Sequence, residues 1–279
     1  MIKHILVPFD FSPHATDAFR LALTMARKCG ATVHLLNVIE LPVLDGPMLI
    51  PLYDYENPYY EEVRAKTEEK FSKIKETFHA DGITVISKTE FGRPAHKILA
   101  TITAESIDLV IMGAQGLSDI AEFFMGSITA KVVRNSPVPV MILNHYSTGE
   151  LKNIVFPTTG EVSHQETLVS HVKNLQEFFQ AALHIVYINT PLNFSSDVVT
   201  YQKLDAFAVH FGMVNYTLHI YNHLKKGEGI RQFTKQIKGD MIAIGTHGRN
   251  GISTLVNGNL TGDIVEHASL PIWTFLIDR

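Results

Sequence analysis

Met112-Gly113-Ala114-Gln115-Gly116, nine residues, then Gly126-Ser127-Ile128-Thr129 is a pattern this chain carries twice. It returns as Ile244-Gly245-Thr246-His247-Gly248, nine residues, then Gly258-Asn259-Leu260-Thr261. A short apolar run precedes each copy, Leu109-Val110-Ile111-Met112 in one and Met241-Ile242-Ala243-Ile244 in the other. Each copy leads into a helix-like segment and a second apolar run. Strand, glycine loop and helix start together make an anion site. Glycines let backbone approach a phosphate, and the first helical turn presents unpaired N–H groups.

The repeat extends outward from the glycines. Ile2 to Pro8 aligns with Leu151 to Pro157, and Ala31 to Asn37 with Ala181 to Tyr187. The offset there is 149 or 150, and it falls to 132 at the glycine motifs. The first half therefore holds eighteen extra residues, assigned to the Pro-, Tyr- and acid-rich stretch from Pro42 to about Tyr60. The chain divides into two units, 1–146 and 147–279. In the first, strands are expected at 2–7, 32–39, 83–89, 108–112 and 138–143. Helices are expected at 13–29, 58–80, 94–105 and 125–135. Ser12 serves as N-cap with Pro13 behind it, and Gly30 ends that helix. The second unit repeats the order, with strands near 152–157, 183–189, 214–220, 240–244 and 271–277. Alternating strands and helices mean crossover units and a parallel sheet with helices on both faces. Ligands of such sheets sit beyond the carboxyl ends of the strands. Asp10 follows strand one and the glycine loop follows strand four, so neighbouring strands would aim both at one crevice.

Composition excludes several classes. A net charge of −4, from 24 basic and 28 acidic residues, leaves no electrostatic footprint for nucleic acid or an anionic membrane. A single cysteine, Cys29, rules out internal disulfides and fits a reducing cytoplasm. No run of 18 apolar residues occurs, so no membrane span is expected. The 14 histidines are scattered with no His-Glu-x-x-His, and no metal site is expected. His34 and His184 occupy matching strand-two positions, which suggests packing. No Walker motif, nucleophile elbow or acid–base pair occurs, so no catalytic residue is assigned.

Val7-Pro8-Phe9-Asp10-Phe11-Ser12, Asn37-Val38-Ile39, the Gly113-x2-Gly116-x9-Gly126-Ser127 spacing and Pro137-Val138-Pro139-Val140 together resemble the universal stress protein family. Both halves carry the resemblance, so the chain looks like a tandem member. It implies an adenine-nucleotide alpha-hydrolase-like fold in each half, a five-stranded parallel sheet of order 3-2-1-4-5. It also implies an adenine-nucleotide site for ATP, ADP or AMP, with Mg²⁺ accompanying the phosphates. Asp10 would contact the ribose, and Val38 would meet the adenine through its backbone. Gly113, Gly116, Gly126, Ser127 and Thr129 would cradle the phosphates, with Pro8, Met112 and Ile128 in the same site. A weaker second site would comprise Gly245, Gly248, Gly258, Asn259 and Thr261. There Thr159 stands for the Asp and Asn259 for the Ser, while His247 and Arg249 offer positive charge. The two fifth strands would pair as an intramolecular pseudo-dimer, which pairs again as a homodimer.

Simpler roles stand beside these. The glycines serve tight turns, Asp10 or Ser127 caps a helix, Cys29 is inert core, and Tyr53, Tyr55, Tyr59 and Tyr60 pack on their own domain or cover an adenine. Three functions follow: a cytoplasmic nucleotide-dependent stress regulator acting on an unknown partner protein, a slow ATPase, or a nucleotide-free scaffold.

Overall fold

Helix α1 (Pro13–Cys29) shows how closely local chemistry sets the elements. The Ser12 hydroxyl accepts the Ala15 N–H at 3.1 Å, Pro13 pre-sets the first turn, and Gly30 ends the helix at φ 71°. The computed structural model describes residues 2–40, 58–115, 125–145, 150–247 and 270–277. In the first half, strands β1 (His4–Pro8), β2 (Thr32–Ile39), β3 (Val85–Phe91), β4 (Leu109–Gly113) and β5 (Val140–Leu143) alternate with α1, α2 (Pro58–Thr77), α3 (Pro94–Ala104) and α4 (Ser127–Asn135). In the second half, β6 (Asn153–Pro157), β7 (Ala182–Asn189), β8 (Tyr216–Asn222), β9 (Met241–His247) and β10 (Ile272–Ile277) alternate with α5 (Glu166–Phe179), α6 (Asp197–His210) and α7 (Lys226–Gln236). Helix α2 stops three residues before its expected end, because the chain turns through left-handed His79 and Gly82 before β3.

All ten strands form one sheet, β3-β2-β1-β4-β5-β10-β9-β6-β7-β8. Each half has the expected 3-2-1-4-5 order. The fifth strands β5 and β10 pair antiparallel, Ile272 opposite Ile142 and Thr274 opposite Val140, and join the halves. The Thr274 hydroxyl donates to the Val140 carbonyl at 3.1 Å across that seam. One apolar layer takes side chains from α1, α2, α5 and α6, and the other from α3, α4 and α7. Both layers run through both halves. Trp273, 2% exposed, sits in the first beside the seam.

The halves also share a clamp at the start of the first strand. The Asp108 carboxylate accepts the Lys3 and His4 N–H groups at 2.7 and 2.9 Å. Asp240 does the same for Lys152 and Asn153 at 3.0 and 2.8 Å. His34 and His184 pack within the strands as their matching positions suggested, His34 against His4 and His184 against His219. Cys29 is half-buried, its thiol donating to the Met25 carbonyl. Tyr60 is buried against Phe91, a packing role. Tyr53 and Tyr55 lie outside the described residues.

Candidate functional site

The carboxyl end of β1 is held from the side by β2. The Phe9 N–H donates to the Leu36 carbonyl, and the buried Asn37 amide donates to the Phe9 carbonyl, each at 2.8 Å. These bonds fix the backbone on which Asp10 sits. The Asp10 carboxylate accepts the Ser12 N–H at 3.0 Å and so also caps the entry to α1. Phe11 between them adopts φ 67°, a left-handed conformation that costs a non-glycine residue about 1–2 kcal/mol. Its ring packs on Phe9 and Phe71, each 5.2 Å away, which offsets that cost. At the matching place in the second half stands Gly160, with φ 73°.

At the end of β4, Gly113 has a specific steric duty. A Cβ there would lie 2.6 Å from Cβ of His14, so the glycine lets the first turn of α1 close over β4. Gly126 donates its N–H to the Ala114 carbonyl at 2.8 Å, and a Cβ on it would come within 3.3 Å of that oxygen. The Thr129 hydroxyl donates to the Gly113 carbonyl at 3.0 Å and ties α4 to β4. Helix α4 then starts at Ser127, and its N-cap Gly126 brings no side chain to the first-turn N–H groups, which make an anion-attracting end.

These ends enclose a crevice of about 190 Å³. Pro8, Asp10, Val38, Met112, Gly113, Gly126, Ser127, Ile128 and Thr129 all line it; Gly116 lies outside the described residues. Phe9, Ala15, Leu36, Pro94, Ile98 and Gln115 line it too and were not singled out from the sequence. Pro94 carried a readable signal, since every strand-to-helix turn of a parallel sheet lies at the same end. Val38 on β2, Asp10 just beyond β1 and the loop after β4 follow one another across the sheet. The crevice is thus apolar at the β2 side and rich in N–H and hydroxyl groups at the α4 side. Among the described residues no cationic side chain lines it.

Two repeats of such a unit, joined fifth strand to fifth strand, match a known family. A family model described as the universal stress protein family covers residues 1–144 and 150–275. The chain belongs to the universal stress protein family. A universal stress protein of Thermus aquaticus is 31% identical over 148 residues, which is 51% of this chain and 99% of that one. One from Bacillus subtilis is 26% identical over 51% of this chain and 99% of its own length. Each of these relatives corresponds to about half of this protein. A crystal structure of a universal stress protein from Archaeoglobus fulgidus superimposes with a TM-score of 0.73, over 98% of this chain and 96% of that one. At 18% identity that likeness lies in the fold.

The second half of this universal stress protein builds a different crevice. The Thr158 N–H donates to the Val186 carbonyl at 3.0 Å, repeating the bond from Phe9 to Leu36. Beyond that the halves diverge. A Cβ on Gly245 would lie 2.5 Å from Ile277 Cδ1 and 2.6 Å from Leu168 Cδ2, so two aliphatic side chains close over it. What remains is a cavity of about 70 Å³, lined by Thr158, Thr159, Gln165, Lys226 and apolar residues. Of the expected second-site residues, Gly245 lines it, while Gly248, Gly258, Asn259 and Thr261 lie outside the described residues. The side chain of His247 and the residue Arg249 lie outside them too. Among the described residues no group of three or more His, Cys, Asp or Glu could hold a metal, and no helix is long and apolar enough to cross a membrane.

Proposed function

We propose that the first half binds one adenine nucleotide (ATP, ADP or AMP) and that the protein is a nucleotide-dependent stress-response regulator. The carrying observation is the polarity of the first crevice. It offers an apolar slot at Val38, Leu36 and Ile98, a carboxylate at Asp10, and the uncapped start of α4. A flat base, a ribose and phosphates need those three surfaces in that order. Asp10 is the one carboxylate lining it among the described residues, thin equipment for hydrolysis, so the output is a conformation or an association state. That association involves a second copy of the chain or a partner protein, in the cytoplasm. The residue ranges 41–57 and 116–124, which flank this crevice in sequence, contain no Lys or Arg. Phosphate charge would therefore be balanced by a divalent cation such as Mg²⁺ entering with the nucleotide. The second crevice, narrowed by Leu168 and Ile277, takes no nucleoside.

The test has two arms. Protein purified without added nucleotide is denatured, and the released ligand is quantified by ion exchange with mass detection. One equivalent of adenine nucleotide per chain is expected; two would overturn the single-site assignment. In the second arm, Mg-ATP binding is measured for Ser127→Glu. A carboxylate at the start of α4 suits the helix and preserves folding, but it repels phosphates. At least a tenfold loss of affinity is expected, with the melting temperature kept. Unchanged affinity in that variant, or no binding by the parent protein, would sink the reading in favour of a nucleotide-free scaffold.

A further inference from the structure

Among the described residues, the second crevice contains a charge without a counter-charge. Lys226 is the first residue of α7, the place that Pro94 holds at the start of α3. Both line the crevice of their own half. Where the first half puts a neutral ring, the second puts an ammonium. Three things make that ammonium unfavourable as it stands. Partly buried, it lines the cavity, and desolvation pulls its pKa below the ordinary lysine value. It sits in the first turn of a helix, where the backbone dipoles repel a cation. And among the described residues no acid pairs with it, Glu228 of the same turn included.

The walls around it are suited to an anion. Thr159 stands where the first half carries Asp10, so a carboxylate that would compete with an anion has been replaced by a hydroxyl. Gln165 adds an amide, and Thr158 a second hydroxyl that accepts the Gly160 N–H at 3.1 Å. The space is small for a nucleoside, about 70 Å³ against about 190 Å³ in the first crevice. That is room for a few waters or one tetrahedral oxyanion.

We propose that the second crevice is a small-oxyanion site in which the Lys226 ammonium, with Thr159 and Gln165, holds one inorganic phosphate. The two halves of the protein then read different ligands at opposite ends of the sheet, a nucleotide in one and free phosphate in the other. Phosphate bound at Lys226 sits beside Ile277, at the end of β10 that pairs with β9.

The test titrates the full chain with orthophosphate, followed by calorimetry and by ³¹P NMR. One equivalent is expected to bind. Lys226→Met, which keeps the stem and removes the charge, is expected to lower the affinity about tenfold or more. The same variant leaves Mg-ATP binding unchanged, and Ser127→Glu leaves phosphate binding unchanged. Those two controls separate this site from the nucleotide site. The proposal is overturned if the parent protein binds no phosphate, if Lys226→Met binds it equally, or if Ser127→Glu abolishes it.

Discussion

Thr129 illustrates how a residue inside a binding motif is engaged first by its own fold. Its side chain is 3% exposed and its hydroxyl donates to the Gly113 carbonyl. Thr129→Val retains the branched shape and removes the donor, leaving a buried carbonyl without that partner. A loss of about 1–2 kcal/mol is expected from the denaturation midpoint, with the slope unchanged. Equal stability would show the bond to be incidental. The repeated spacing put Gly113 and Gly126 at the ends of a strand and a helix, with Ser127 next to Gly126, and the expected strand order put Asp10 beside them. The same spacing could not say that Gly113 makes room for His14, or that Asp10 also caps α1. Those duties depend on how α1 crosses β4. Lys226, Leu168 and Ile277 were illegible for a related reason. They come from three elements, and α5 begins only at Glu166, displaced along the chain relative to α1 at Pro13. Gly160 did carry a usable hint, since a glycine matched to Phe11 marks a left-handed position.

Pairs of strands carry the pH response. His4 on β1 and His34 on β2 approach to 3.1 Å between ring nitrogens, so one must donate and the other accept. His184 on β7 and His219 on β8 lie 3.4 Å apart, and the Thr217 hydroxyl reaches both at 2.9 and 2.7 Å. Burial lowers the pKa of His34, with His4 lowering it further and Glu105 opposing. Burial does the same for His184, opposed by Asp240, and for His219, reinforced by His184. His171, packed against Phe275, is lowered by burial alone. A histidine whose folded pKa lies below its unfolded value of about 6.5 binds protons more readily when unfolded. The stability it contributes is complete above about pH 6.5 and is lost as the pH falls through the folded pKa. The melting temperature is therefore expected to hold above about pH 6.5 and to decline below it, before the carboxylates titrate. His184→Gln should flatten the slope, and a parent curve already flat across that window would refute the assignment. The elements themselves were the most legible level. Caps, prolines and apolar periodicity placed α1 and β2 to the residue, while the histidine partners needed the strand register.

At the scale of the whole molecule the seam between β5 and β10 decides the behaviour. All four residues of β5 are buried in the full chain, and β10 supplies the cover on its outer edge. The apolar layer behind the seam takes Met141 and Leu143 from one half with Trp273 and Phe275 from the other. Apolar fifth strands announced in the sequence that each needed a partner. The antiparallel pairing also turns the second-half strands around, so their carboxyl ends face the opposite end of the sheet. One sheet with two apolar layers, each running through both halves, should unfold as a unit, in a single calorimetric transition. A fragment of residues 1–146 would keep its own five strands and both helical layers but lose β10. Its β5 would become an open edge of unpaired N–H and C=O groups beside exposed Met141 and Leu143. Such an edge is satisfied by a second copy of itself, since β5 against β5 in antiparallel register reproduces what β10 provides. The fragment is therefore expected to sediment as a homodimer, and Met141→Lys within it should return a monomer. A fragment that is folded and monomeric at high concentration would mean that the first half closes its own edge, and that the seam is an accessory to the fold and not a requirement of it.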